Sequence, residues 1–192
     1  VPVEDKWEAR LKGPSITPGY LNAPERTAEA FDEEGFYRLG DALRPVDPDD
    51  LTRGFLFDGR IAENFKLSTG TWVSVGAVRA GLVDAMHGLI RDAVIVGENE
   101  GELGALLWLS DAAAAMEPGP RDAALAEALA AAAARATGSS TRVARAIALE
   151  AAPSFDRGEA TEKGSLNQRA LRAHNADLIA RLYAGGPGVV RA

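Results

Sequence analysis

Turn-forming residues set the first limit on this chain. Gly13-Pro14, Pro18-Gly19, Pro24, Gly35, Gly40, Pro45, Pro48 and Gly54 follow one another so closely that only short elements fit between them. Strands are expected near residues 8–12 and 54–58, with one short helix over 24–31. The few large apolar residues of this stretch cannot close a core of their own, so it reads as a lid or as the rim of a larger domain.

From Phe65 the texture changes. A short strand pair is expected to flank Ser68-Thr69-Gly70-Thr71, followed by a helix over 78–89 and two buried strands over 92–96 and 103–109. Residues 121–136 read as an alanine-rich helix stopped by Gly138. A strand is expected over 142–150. A helix over 167–183 places Leu171, His174, Leu178, Ile179 and Leu182 on one face. The sum is an α+β unit of about 130 residues. No internal repeat is present.

Composition narrows the chemistry. With 192 residues and 46% apolar content the chain can bury a core. No apolar run approaches the ~20 residues that span a bilayer, and no basic n-region with an apolar h-region opens the chain. A soluble, cytoplasmic protein that does not act at a membrane is expected. Cysteine is absent, which excludes disulfides and thiolate ligation, and the two histidines, His87 and His174, are too far apart in sequence to suggest a metal site. The net charge of −7 argues against a broad nucleic-acid surface and favours small-molecule chemistry. Only residues 135–192 are basic on balance, with 9 cationic and 5 anionic side chains. That suits a phosphate-bearing ligand, or simply arginines on a solvated helix face. Val1 in place of Met points to a piece of a longer protein. Gly97-x-x-x-Gly101-x-x-Gly104 is no phosphate cradle, because Glu98, Glu100 and Glu102 would repel the anion; it reads as a loop between two strands.

Four blocks stand out, and their order matters more than any one of them. The first is Lys12-Gly13-Pro14-Ser15-Ile16-Thr17-Pro18-Gly19-Tyr20, followed by Pro24-Glu25-Arg26-Thr27-Ala28-Glu29-Ala30-Phe31. The second is Gly35-Phe36-Tyr37-Arg38-Leu39-Gly40-Asp41. The third joins Phe57-Asp58-Gly59-Arg60 to Lys66-Leu67-Ser68-Thr69-Gly70-Thr71-Trp72-Val73, and the fourth runs from Gly158 through Glu162-Lys163-Gly164-Ser165 to Arg169. Together they resemble the C-terminal portion of the adenylate-forming (AMP-binding) superfamily, and within it the aryl branch of feruloyl-CoA synthetases, from about Arg10 to Tyr183.

The resemblance implies a fold and a division of the chain. Residues 1–57 would be the β-rich end piece of a large N-terminal adenylation domain. Residues 58–62 would be a hinge, with Asp58, Gly59 and Ala62 at its turning positions, although many relatives carry Asp or Lys where Ala62 stands. Residues 63–192 would be a mobile C-terminal domain with a short mixed sheet flanked by helices. It also implies an AMP-forming acid:CoA ligase that uses ATP with magnesium, a carboxylic acid such as ferulate, and CoA. The chain lacks a Ser/Thr/Gly-rich phosphate loop ending in Pro-Lys and a Tyr-Gly-x-Thr-Glu element. The remaining N-terminal domain is therefore the implied partner, and the 192 residues alone are expected to be catalytically silent.

By the same resemblance Asp41 holds the ribose hydroxyls, since a carboxylate accepts two hydrogen bonds from a vicinal diol; its plain alternative is a turn-capping aspartate. Arg60 contacts ribose and phosphates, or else pairs with Glu63 on the surface. Lys163, on a mobile loop bracketed by Gly158 and Gly164 with nothing apolar to anchor it, neutralises the carboxylate and α-phosphate during adenylation, or is a solvated lysine paired with Glu162 or Glu159. Lys66, Gly70 and Trp72 belong to the loop that serves thioester formation; as bland readings Gly70 serves a β-turn and Trp72 is a strand residue. A fatty-acyl ligase, transfer to a carrier-protein thiol, and a non-catalytic interaction module remain as alternatives.

Overall fold

In the opening part of the chain each strand pairs antiparallel with the next: β1 (Pro2–Val3), β2 (Lys6–Leu11), β3 (Tyr37–Pro45) and β4 (Phe55–Arg60), with helix α1 (Pro24–Ala30) between β2 and β3. The computed structural model describes residues 1–3 and 6–192. Two units of dense internal contact divide the chain, Val1–Ala62 and Glu63–Ala192. In the first, Ala42 is the one fully buried apolar side chain among the described residues, while Trp7, Leu11, Phe55, Leu56 and Phe57 stay exposed. This agrees with a stretch that cannot close a core of its own. Strand β3 was not expected. Gly40 and Pro45 break its apolar alternation, and its extended form comes from pairing on both sides, with a register shift between Asp41 and Leu43 on the β4 side.

The second unit opens with a small antiparallel pair, β5 (Phe65–Lys66) and β6 (Trp72–Val73), and helix α2 (Val75–Ala85). Next come β7 (Ile90–Val96), β8 (Leu103–Leu109), α3 (Asp111–Ala114), α4 (Pro118–Ala134) and β9 (Val143–Ala148). Helices α5 (Gln168–His174) and α6 (Ala176–Ala184) and strand β10 (Val189–Arg191) complete it. The sheet order is β10-β9-β8-β7. Strands β8 and β9 are parallel and the other pairs antiparallel. A parallel pair needs a long crossover, which α3 and α4 supply.

Helices cover both faces of this mixed sheet. Val78, Leu82 and Met86 beside α2, and Leu125 and Leu129 of α4, join Ala93, Ile95, Leu103 and Leu107 in one cluster. Leu171 of α5 with Leu178 and Leu182 of α6 meet Val94, Val96, Leu106 and Ile147 in the other. Strands buried on both sides must be apolar throughout, which is why β7 and β8 are readable as buried strands. Each such leucine contributes about 1.5–3 kcal/mol by leaving water. Gly104 of β8 lets α6 approach closely, since a Cβ there would meet Leu182 Cδ2 at 2.7 Å.

The small α+β domain with a mixed sheet is as expected, and the differences lie at element ends. Helix α2 begins at Val75 because Asn64 Oδ1 accepts the Val75 N–H at 3.1 Å, a cap from eleven residues upstream. It ends at Ala85, ahead of the expected residue 89. Helix α4 begins earlier than residue 121, with Pro118 in its first turn. The single helix expected over 167–183 is two: Asn175 leaves helical geometry at φ −116° and its Nδ2 donates to Leu171 O at 2.9 Å. No described helix is long and apolar enough to cross a membrane.

Candidate functional site

Pairing of β3 with β4 brings Asp41 opposite Arg60. Arg60 Nε lies 2.9 Å from Asp41 Oδ1, and Arg60 Nη1 donates to Leu39 O at 3.2 Å. The Nε–H is not aimed at Asp41 Oδ1, which is shielded from solvent and has no hydrogen-bond partner among the described residues. This anionic oxygen has acceptor capacity unused, and a donor such as a hydroxyl reaches it only once the exposed Arg60 side chain shifts aside. Of the hinge candidates, Asp58 and the buried Gly59 lie on β4, and Ala62 lies in the short 3-10 turn Ile61–Glu63.

Lys66 and Trp72 face each other in the register of β5 and β6, with Lys66 Nζ 5.0 Å from the Trp72 ring centroid. Trp72 is thus a strand residue, half-buried. Gly70 closes the turn between them, its N–H donating to Leu67 O at 2.9 Å with φ +80°, a conformation that favours glycine. The acidic loop between β7 and β8 backs this hairpin: Asn99 N donates to Lys66 O at 3.1 Å and Ser68 N to Glu100 O at 2.9 Å.

Lys163 sits at the tip of a second hairpin. Gly164 N donates to Thr161 O at 2.8 Å, Thr161 N to Ser165 O at 2.9 Å, and Ala160 pairs with Leu166. Lys163 is the third residue of a tight turn, followed by Gly164 at φ +78° as turns of this kind require. Residues 161–165 are all exposed, and Lys163 makes no ion pair or hydrogen bond among the described residues. Between Gly158 and Gly164 the buried side chain is a polar one, and the apolar anchor lies just beyond Gly164. Leu166 is buried, and Glu159 is 0% exposed. Glu159 Oε2 accepts Ser154 N at 2.9 Å, and its Oε1 accepts Arg157 Nη2 and meets His174 Nδ1 at 2.9 Å. Burial alone would raise the Glu159 carboxyl, but Arg157, the Ser154 N–H and His174 outweigh it and hold the group at about 2.

Glu159 and His174 carried no functional assignment from the sequence. The available signal was the spacing of His174 from Leu171 and Leu178, and at 42% exposure its imidazole does not itself require a protein partner. Among the described residues no group of three or more histidine, aspartate and glutamate side chains could hold a metal ion.

Residues 66–186 match the model of the AMP-binding enzyme C-terminal domain. The chain belongs to that family, and its wider relatives are adenylate-forming enzymes. A carboxylic acid reductase of Mycobacterium marinum is 29% identical over 181 residues, which are 93% of this chain and 15% of the reductase. A 4-coumarate–CoA ligase of Pinus taeda is 35% identical over 104 residues, 54% of this chain and 18% of the ligase. Among solved structures, the A-PCP didomain of the carboxylic acid reductase from Segniliparus rugosus in complex with AMP superimposes with a TM-score of 0.76 at 27% identity, covering 94% of this chain and 25% of that one. The chain thus spans a small part of the relatives it matches.

Proposed function

We propose that this chain is the C-terminal part of an enzyme that activates a carboxylic acid with ATP and passes the acyl group to a pantetheine thiol, with an aryl or hydroxycinnamic acid such as ferulate as substrate and CoA as acceptor. In the first half-reaction a carboxylate oxygen attacks the α-phosphorus, the bond to the bridging oxygen breaks, and pyrophosphate leaves. In the second, the thiol sulfur attacks the acyl carbonyl and AMP departs with the carboxylate-derived oxygen.

The observation that carries this reading is the pairing of Asp41 with Arg60, which sets an acceptor with unused capacity beside a fixed positive charge. Asp41 would take the ribose diol while Arg60 meets ribose and phosphate. Lys163, without a partner among the described residues, would neutralise the two anions forced together in adenylation. The Lys66–Trp72 hairpin with Gly70 at its tip would flank the pantetheine passage. Asp58, Gly59 and Ala62 would absorb the rotation between half-reactions, a task for a few element-terminal residues. Residues 1–57 would end the adenylation domain and 63–192 would be the moving part. Magnesium would arrive with the ATP phosphates. The relative named 4-coumarate–CoA ligase supports an aromatic acid and CoA.

A second reading places the acceptor thiol on a carrier protein. It is favoured by the likeness over 94% of this chain to an A-PCP didomain.

Pyrophosphate exchange and thioester formation in the full-length enzyme test both readings. Lys163→Ala should slow adenylation by roughly 100- to 1,000-fold, while thioester formation from preformed acyl-adenylate stays close to wild type. Equal loss of both steps overturns the role of Lys163. Thioester formed with free CoA supports the first reading, and thioester formed only on a carrier supports the second. Aromatic acids turned over no faster than fatty acids overturn the substrate class. Unchanged activity on replacing Asp41, Arg60 and Lys163 with alanine would favour a non-catalytic interaction module.

A further inference from the structure

The hairpin that carries Lys163 is fixed at both ends of its base by polar side chains that are themselves buried. On the incoming side, Glu159 is 0% exposed and three contacts hold its carboxylate: Ser154 N–H on Oε2, Arg157 and His174 on Oε1. Its backbone is committed as well, with Glu159 N donating to Ser154 O at 2.9 Å and Glu159 O accepting Asn167 N at 2.8 Å. On the outgoing side, at the start of α5, Gln168 is 1% exposed and its amide joins β7, Nε2 donating to Ala93 O at 2.9 Å and Oε1 accepting Ile95 N at 3.1 Å. Between these two clamps the turn is closed by the Thr161–Ser165 and Thr161–Gly164 hydrogen bonds. The two ends of the segment that carries Lys163 are therefore tied to the sheet and to α5, while its tip, residues 161–165, is exposed.

We propose that Glu159, held by His174 and Arg157, is the positioning residue for the Lys163 ammonium: it acts through the hairpin base and sets where the ammonium is delivered. The proposal rests on the reading of Lys163 as the adenylation lysine. Removing a buried carboxylate that holds a loop by three contacts frees the turn, and a displacement of about 1 Å at a reacting group is enough to cost 100-fold in rate. His174 Nδ1–H can donate to Glu159 from neutral imidazole or from imidazolium, so the clamp does not need a charged histidine. Arg157 and His174 are the ionisable groups that contact the carboxylate, from the preceding loop and from α5 respectively.

The test uses the full-length enzyme with Glu159→Gln, His174→Ala and Lys163→Ala, and amide exchange at Thr161, Gly164 and Ser165. Glu159→Gln should lower kcat for adenylation roughly 10- to 100-fold with KM for ATP within about twofold, leave thioester formation from preformed adenylate unchanged, and speed exchange at the three amides. His174→Ala removes a half-exposed partner without burying anything unpaired, so it should fold and show the same pattern to a smaller degree. Adenylation at the wild-type rate in Glu159→Gln, when Lys163→Ala is slow, overturns the proposal. Equal loss in both half-reactions, or unchanged exchange in both variants, also overturns it, since the first marks a merely structural residue and the second an independent turn. If Lys163→Ala adenylates normally, the functional reading fails, and the exchange measurement still decides whether Glu159 holds the turn.

Discussion

Asp41 and Arg60 are direct partners across β3 and β4, with Arg60 Nε 2.9 Å from Asp41 Oδ1. The Arg60 side chain is 57% exposed, and pairs of this kind contribute about 0–1 kcal/mol to folding. A hydrogen bond to a charged group in a ligand site contributes about 1.5–3 kcal/mol. Asp41→Asn in the full-length enzyme should therefore weaken AMP binding roughly 10- to 100-fold by calorimetry while the thermal midpoint of the chain hardly moves. A large thermal shift with unchanged affinity would mark Asp41 as structural.

Glu159 gives the fold an acid limit. Its carboxyl sits at about 2 in the folded chain against an ordinary 4.5. A depressed value means that the unfolded chain binds the proton first, so this contribution is complete above pH 4.5 and fades as the pH falls towards 2. Urea titrations between pH 6 and 2 should show stability falling across that window, and Glu159→Gln should flatten the fall. An identical pH profile in the variant would show that the carboxylate is not what the acid titrates.

Close approach of α6 to the sheet depends on Gly104. A Cβ there meets Leu182 Cδ2 at 2.7 Å, Tyr183 Oη at 3.2 Å and Val96 Cγ2 at 3.2 Å, and Leu182 is 0% exposed with nowhere to retreat. Gly104→Ala should cost about 1–3 kcal/mol, read from chemical denaturation. A neutral result would mean that α6 slides outward freely.

Gln168→Ala leaves Ala93 O and Ile95 N without their partner at the edge of β7. Each orphaned buried group costs about 1–3 kcal/mol. The variant should lose stability in that range or above and exchange the Ile95 amide faster, while Gln168→Glu at low pH, where the carboxylic acid can still donate, should lose less.

Strands β7 and β8, α1 and the β5–β6 pair were legible because each is specified by residues within its own window, either unbroken apolar runs or turn formers at fixed offsets. What was illegible is specified from a distance. Strand β3 exists through two neighbours and carries one buried apolar side chain. The start of α2 depends on Asn64, and the break between α5 and α6 on the choice of Asn175 for a backbone carbonyl. For the site, the residue blocks picked out Asp41, Arg60 and Lys163 individually. That Asp41 and Arg60 meet is a matter of register, and the contact of buried Glu159 with His174, fifteen residues on, is one no local pattern reports.

The side chains along the outer margin of β7 have one more effect. Ala93 N–H is taken by its neighbour Asp92, and Ala93 O and Ile95 N–H by Gln168. A row of free amides and carbonyls would invite another polypeptide to add itself there. Three of the backbone groups along this margin are already taken, so β7 is a poorer template for a second copy of the domain than a bare strand edge would be.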